Sequence, residues 1–296
     1  MILVTGANGL SGSAIIREFA RQQYPVRALV RSRAKAQALE AFPTVEVVEG
    51  DMLRPETLEA ALRNVDRVLM ISSARERMVQ TQCMFIDACK EAGVRHVVKF
   101  SGKESSVGFN PNKFRSTWEH EHIEDYLESS GLAWTHLRPS QFMQFYLPQA
   151  PTGVNVAENA LLLPMGNVRL SPVAIEDIAK VAFALLHSEG HEGKSYDMTG
   201  PEALTMAEVT ERISQAIGKP FRYVNIPLEE TRQAWLAAGI LSERVDTIME
   251  VLSERSKCPE SRVFLDTHQA FGVHPTTFAE FARRNAAVFR GESVPL

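Results

Sequence analysis

The sequence predicts an α/β fold, a doubly wound parallel sheet of the Rossmann type with a smaller, mainly helical C-terminal lobe. Three observations predict it. Short apolar runs rich in Val, Ile and Leu alternate with segments of helical spacing through the first half of the chain. Three glycines, Gly6, Gly9 and Gly12, follow directly on the first of those runs. The alternation fades after Pro139, where prolines and glycines gather. Strands apolar on both faces and separated by helices belong to parallel βαβ units. Six in succession make a sheet with helices on both sides.

The elements follow in order. Ile2–Thr5 is a short apolar strand, and Ser13–Arg21 carries Ala14, Ile15, Ile16, Phe19 and Ala20 at helical spacing. Val26–Val30 is a second strand, followed by a polar, alanine-rich helix. Val45–Val48 is a third, and Pro55 stands where the next helix begins. Arg67–Ile71 is the fourth strand, and the helix after it stops at Gly93. Val94–Phe100 is the fifth, a helix spans roughly Ser116–Glu128 before Gly131, and Trp134–Leu137 is the sixth. Residues 140–170, with Pro148, Pro151, Pro164, Gly153 and Gly166, read as loops. Ile175–Leu186 resumes a helix and Ser195–Met198 is a late strand. Thr205 with Glu208 three residues on has the spacing of a capping box for a helix that ends at Gly218. The last third is mostly helical. This organisation assigns residues 1–150 to a dinucleotide-binding domain and 151–296 to a substrate lobe, with 168–200 returning to the sheet.

Bulk properties narrow the function. A chain of 296 residues, 45% hydrophobic, can bury one large core and a smaller second one. A formal charge of −4, from 32 Lys and Arg against 36 Asp and Glu, gives no reason to expect nucleic acid or an anionic membrane as partner. No apolar run is long enough to span a bilayer. The opening Met1-Ile2-Leu3-Val4-Thr5 lacks the signature of a secretory signal. Cys83, Cys89 and Cys258 are too few for a disulfide framework. Together these suggest a cytoplasmic protein with reduced thiols. His187 and His191 have no third ligand at metal spacing, so no metal is expected.

Val4-Thr5-Gly6-Ala7-Asn8-Gly9-Leu10-Ser11-Gly12 is strand, turn and helix start. Gly6 permits the tight exit from the strand, Gly9 lets a pyrophosphate approach the backbone, and Gly12 lets the helix pack close to the sheet. Phosphates then face free N–H groups at the helix N-terminus, across Gly6, Ala7, Asn8, Gly9, Leu10 and Ser11. The bland reading is a glycine-rich turn without a ligand. Its position as the first βα turn of the sheet favours the dinucleotide. At the end of the second strand, where an NAD site usually carries a carboxylate, the sequence has Arg31-Ser32-Arg33. A guanidinium pairs with a 2′-phosphate and a carboxylate repels one, so Arg31 points to NADP(H). The alternative is a solvated arginine. After the third strand, Asp51 can reach an adenine amino group and Met52 can cover the ring, or Asp51 can simply cap the next turn.

Taken together, Thr5-Gly6-Ala7-Asn8-Gly9, Leu29-Val30-Arg31, Gly50-Asp51-Met52, Thr135-His136-Leu137-Arg138-Pro139, Val173–Ala179 and Tyr196–Glu202 resemble the NmrA-like branch of the atypical short-chain dehydrogenase/reductases. Within that branch the chain looks most like quinone reductases and triphenylmethane-dye reductases. The superfamily's usual Tyr-x-x-x-Lys pair is missing, because its two positions fall on Ser116 and His120. Ser101 stands at the serine position. The resemblance implies that Ser72, Ser73 and Ala74 pass the cofactor ribose. It also implies that Pro139, Ser140, Gln141 and Phe142 meet the nicotinamide end, with Phe142, Met143 and Phe145 lining an apolar pocket, unless these apolar residues simply pack in the core. His120 then holds ribose or substrate, unless it is a helix-surface histidine.

Carbonyl reduction needs a positioned acid, whereas a quinone or cationic dye accepts hydride readily. The expectation is therefore an NADPH-dependent reductase of a small quinone-like or other conjugated acceptor, as monomer or homodimer, working without a Tyr–Lys pair. The main alternative is an NADP(H)-binding redox-sensing regulator with no turnover, whose partner surface would be the helical stretch Thr231–Leu252, unless that stretch is a substrate lid or plain core. A third, reduction of an enol-ether or imine-type substrate, usually relies on a lysine that His120 does not match.

Overall fold

The computed structural model describes residues 1–72, 77–102, 114–258 and 260–293. Its strands are β1 (Ile2–Val4), β2 (Val26–Val30), β3 (Val45–Glu49), β4 (Arg67–Met70), β5 (His96–Phe100), β6 (Ala133–Pro139), β7 (Ala160–Leu163), β8 (Lys194–Met198) and β9 (Arg222–Asn225). Its helices are α1 (Leu10–Arg21), α2 (Gln37–Glu40), α3 (Glu59–Leu62), α4 (Met78–Glu91), α5 (Arg115–Ser129), α6 (Ile175–His187), α7 (Met206–Ile217), α8 (Leu228–Ala237), α9 (Ser242–Ser256), α10 (Asp266–Ala270), α11 (Phe278–Arg284) and α12 (Ala286–Phe289).

Seven strands form one parallel sheet in the order β3-β2-β1-β4-β5-β6-β8. The order reverses between β1 and β4. In open α/β sheets the crevice beyond the strand ends at such a reversal is where ligands bind. Both faces are covered. Ile15, Ile16 and Phe19 of α1 pack with Ile178, Ala182 and Leu185 of α6 over one face. Phe85 and Ile86 of α4 and Ile123 and Leu127 of α5 pack over the other. Each of these side chains is essentially solvent-free, and burial of such a residue contributes about 1.5–3 kcal/mol. The late strand β8 joins the sheet beside β6. Thr205 and Glu208 close the capping box at the start of α7, and Gly218 ends it at φ +74°.

The expectation of loops across 140–170 needs correction. Ala160–Leu163 is β7, and β9 pairs with it in parallel. An Ala-Leu-Leu-Leu run has neither alternation nor β-branched residues, so only its distant partner marks it as a strand. The helix expected after β2 is a 3-10 turn at Arg33–Lys35 followed by the single turn α2. Leu39 and Ala36 are its only buried anchors, too small an apolar face to support a longer helix. A second apolar cluster, built on Met143, Leu161, Val209, Ile213, Val245, Phe278 and Phe289, lies under β7, β9, α7, α9, α11 and α12. Trp235, Leu236, Ile240 and Ile248 pack against this cluster and Leu252 is buried in it. That leaves Leu241, 77% exposed, as the large apolar side chain of the stretch facing solvent. No helix among the described residues is long and apolar enough to cross a membrane.

Candidate functional site

The glycine turn sits at the reversal of strand order. Thr5 closes β1 by donating its hydroxyl to the Ile71 carbonyl at 2.6 Å and accepting from the Ile71 N–H at 2.8 Å. Gly6 follows at φ +59°, and a Cβ there would stand 2.9 Å from the Ile71 carbonyl. The Gly9 N–H returns to the Gly6 carbonyl at 2.9 Å. Gly12 is the tightest contact: a Cβ would lie 2.3 Å from the Gly6 oxygen and 2.8 Å from Ala7 Cα. These contacts press the start of α1 onto the turn. At that start Gly9 is the cap residue, no side chain caps the helix and its first turn carries no acid. The N–H groups of Leu10, Ser11 and Gly12 find no acceptor among the described residues. Asn8 and Gly9 are exposed, and Leu10 is 45% exposed. An open glycine cradle with uncapped donors fits a pyrophosphate.

Arg31, directly after β2, is exposed, and among the described residues nothing accepts from its guanidinium. Arg33 is engaged: its side chain pairs with Glu40 at 2.9 Å and its N–H donates to Glu49 at 2.6 Å. Of these two arginines, Arg31 is therefore the one available for a phosphate. Removal of its charge, Arg31→Ala, is expected to lower the NADPH-over-NADH affinity ratio about 10- to 100-fold. Parallel fluorescence titrations check this, and an unchanged ratio assigns the 2′-phosphate elsewhere. Asp51 caps the following turn, accepting from Leu53 N–H at 3.0 Å, and Met52 is 8% exposed and packed in the core.

Beyond β4, Ser72 accepts from Gln82 at 2.8 Å, whereas Ser73 and Ala74 lie outside the described residues. Beyond β5, Ser101 is fully buried and its hydroxyl bonds to Glu124. Beyond β6, Pro139 ends the strand and the buried Ser140 donates to the Ser171 carbonyl at 2.6 Å. Gln141 is held by Tyr146 at 2.6 Å. Met143 turns into the second core and is 1% exposed. Phe142 packs against Phe100 and Phe145, at ring distances of 6.3 and 5.1 Å. Phe145 is 36% exposed, so this cluster offers an apolar wall.

Between β5, β6 and α5 lies a buried ionic cluster that sequence reasoning missed. His120 is inside the protein, 5% exposed, not on the helix surface. Its neighbour His122 faces out and stacks on Trp118. His120 Nδ1 lies 2.9 Å from Lys99 Nζ and accepts from the Gly102 N–H at 3.2 Å. An acceptor Nδ1 places the ring hydrogen on Nε2. Glu124, one turn further along α5, accepts both arms of Arg138, at 3.1 and 2.6 Å. Two basic groups thus sense one buried carboxylate, Arg138 through hydrogen bonds and Lys99 through its charge. Burial, with the charge of Arg138 and against the pull of Glu124, brings the fully buried Lys99 down to about 7. Burial and Lys99 hold His120 well below the usual imidazole value. A lysine in the middle of a strand buried on both faces, Val97-Val98-Lys99-Phe100, was the available signal.

The reversal of the sheet and the open glycine turn placed on it define a Rossmann-type α/β protein of the dinucleotide-binding class. The chain belongs to the NmrA-like family, which matches residues 1–282. It is 36% identical over 291 residues to the NAD(P)H azoreductase of Xenophilus azovorans, across 98% of this chain and 99% of that one. The crystal structure of an NADPH-dependent quinone oxidoreductase from Escherichia coli, complexed with NADPH, is similar at 26% identity with a TM-score of 0.82, covering 96% of this chain and 99% of the other. The triphenylmethane reductase of Citrobacter sp., complexed with NADP(H), has a TM-score of 0.84 over 97% of this chain and 100% of its own. At 23% identity it shares the fold.

Proposed function

We propose that this protein is an NADPH-dependent reductase of a small quinone-like or other conjugated acceptor. The observation that carries the reading is its similarity, over nearly the full length of both chains, to an NAD(P)H azoreductase. The site supports it. The turn Gly6–Gly12 binds the pyrophosphate, Arg31 pairs with the 2′-phosphate, and Ser72, Ser101 and the stretch Pro139–Phe142 line the path from ribose to nicotinamide. Bound NADPH supplies a hydride. Phe142 and Phe145 cover a flat acceptor and exclude water from it, an arrangement that works by proximity and orientation. Met52 and Asp51 contribute their backbone turn beside the adenine. The same reading takes the protein to be cytoplasmic and to act as monomer or homodimer.

The test mixes purified protein and NADPH with a panel of quinones, azo dyes and cationic dyes and follows cofactor absorbance. Turnover well above the uncatalysed rate is expected with at least one class. Tight NADPH binding without turnover across the panel would instead favour a redox-sensing regulator, a reading with less support because the large apolar side chains of 231–252, Leu241 apart, pack on the protein's own core.

A further inference from the structure

We propose that Lys99 and His120 form a proton relay for this reductase site, with His120 delivering the proton to the reduced acceptor and Lys99 acting through it as positioning and replenishing residue. The inference rests on the reductase reading and adds the proton source which that reading lacks once the Tyr–Lys pair is gone.

Geometry carries it. Lys99 and Gly102 both donate to His120 Nδ1. The remaining ring nitrogen, Nε2, lies beside Gly102: a Cβ on that exposed glycine would stand 2.4 Å from it. Gly102 follows the end of β5, one strand from the β1/β4 reversal. The ring therefore spans the distance between a sealed lysine and the sheet's C-terminal edge. Lys99 has no exposed surface, and among the described residues the polar side chain its amine reaches is this imidazole. The neighbouring groups set its charge. Glu124 of α5 is already paired with Arg138 of β6. His136 of β6, in register with Lys99, is bonded to Glu128. Burial and Asp87 push the Cys83 thiol of α4 up to about 11, so it stays neutral. Among the described residues no carboxylate is left for Lys99 alone, which makes its proton easy to give up.

The step balances. After a hydride passes from NADPH to a quinone, the product is a monoanion. His120 gives its Nε2 proton to that anion while Lys99, as ammonium, gives one to Nδ1. The products are hydroquinone, NADP+, neutral Lys99 and the Nδ1–H tautomer of His120. Once product leaves, a solvent proton enters at Nε2 and the Nδ1 proton returns to Lys99. The net reaction consumes NADPH, quinone and one proton.

Lys99→Met tests the relay, since methionine fills similar space without a buried amine. Relative to the native protein, kcat with a quinone is expected to fall about 100-fold, with NADPH affinity unchanged. The native kcat is expected to decline as pH rises past the lysine's value of about 7, and this limb disappears in Lys99→Met. Gly102→Ala, which keeps the lysine but displaces the ring, is expected to lower kcat similarly. Lys99→Met with native kcat and pH profile overturns the relay. Nitrogen NMR of His120 gives a readout independent of turnover. The expected result is an Nε2–H tautomer whose Nδ1 resonance moves as Lys99 titrates. An Nδ1–H tautomer, or an Nδ1 resonance constant across neutral pH, overturns the pairing. A native protein that oxidises no NADPH with any acceptor overturns the reductase reading instead, and the NMR result then decides the Lys99–His120 pair by itself.

Discussion

Gly12→Ala is expected to weaken NADPH binding by at least about 100-fold, a loss of the size that misplacement by an ångström produces. The added methyl meets backbone on two sides, 2.3 Å from the Gly6 oxygen and 2.8 Å from Ala7 Cα. Neither can swing aside as a flexible side chain would. Gly6 is held against Ile71, and Ala7 is fully buried in the sheet core. Helix α1 must therefore lift away from the turn and carry its uncapped N–H groups with it. Overpacking of this kind also costs about 1–3 kcal/mol of stability, visible as a lowered melting temperature. Gly9→Ala separates the two effects. Its Cβ meets the Gly6 oxygen at 3.2 Å, a contact relieved by a shift of a few tenths of an ångström, so folding is disturbed far less than in Gly12→Ala while the methyl stands in the path of the phosphate. Gly9→Ala is expected to lower the melting temperature less than Gly12→Ala and still lose affinity. Native affinity in Gly12→Ala, measured by fluorescence titration, would move the pyrophosphate away from this turn.

The glycine turn was legible because everything that defines it is local: an apolar strand, three glycines at fixed spacing and a helical pattern immediately after. The strands of the large sheet were legible for the same reason, since burial on both faces leaves continuous apolar runs. β7 and β9 were hidden because the Ala-Leu-Leu-Leu run of β7 and the short Arg-Tyr-Val-Asn run of β9 become strands only through each other, far apart along the chain. Arg31 could be proposed as a free cation, but the engagement of Arg33 by Glu40 and Glu49 is a tertiary fact. His120 shows where a stronger reading was available. Thr117, His120, Ile123, Glu124 and Leu127 recur at helical spacing and form the buried face of α5, whereas Trp118 and His122 share the outer face. The i, i+3, i+4 rule already separates the two histidines. Pairing of His120 with Lys99 could not be read the same way, because it requires the register of α5 against β5.

Glu124→Gln is expected to destabilise the protein by about 3–5 kcal/mol, the range for breaking a buried ion pair by removal of one partner. Glu124 is 3% exposed and accepts two bonds from Arg138, which is itself largely enclosed. The amide keeps the shape but leaves Arg138 and Lys99 facing each other without an anion. For a chain of this size the loss corresponds to a melting temperature lower by roughly 10 °C. Adding Lys99→Met should return part of that stability, because it removes one of the two uncompensated cations. A double-mutant cycle reads the coupling directly, and strictly additive effects would mean that Lys99 does not sense Glu124. The pH dependence separates the two groups further. Burial alone would raise the Glu124 carboxyl, but the hydrogen bonds and charge of Arg138 bring it below the usual carboxylate value. Its contribution is therefore present above the unfolded value of 4.5 and lost as pH falls through the lower folded one. Lys99 changes stability in the same direction at the other end of the scale, because its charged form is the one that burial disfavours. Its folded value of about 7 lies below the unfolded 10.5, so the unfolded chain holds more protons between them and stability rises with pH across that interval. Lys99→Met should flatten that rise and leave the acid limb in place, whereas Glu124→Gln should remove the part of the acid limb that belongs to this pair.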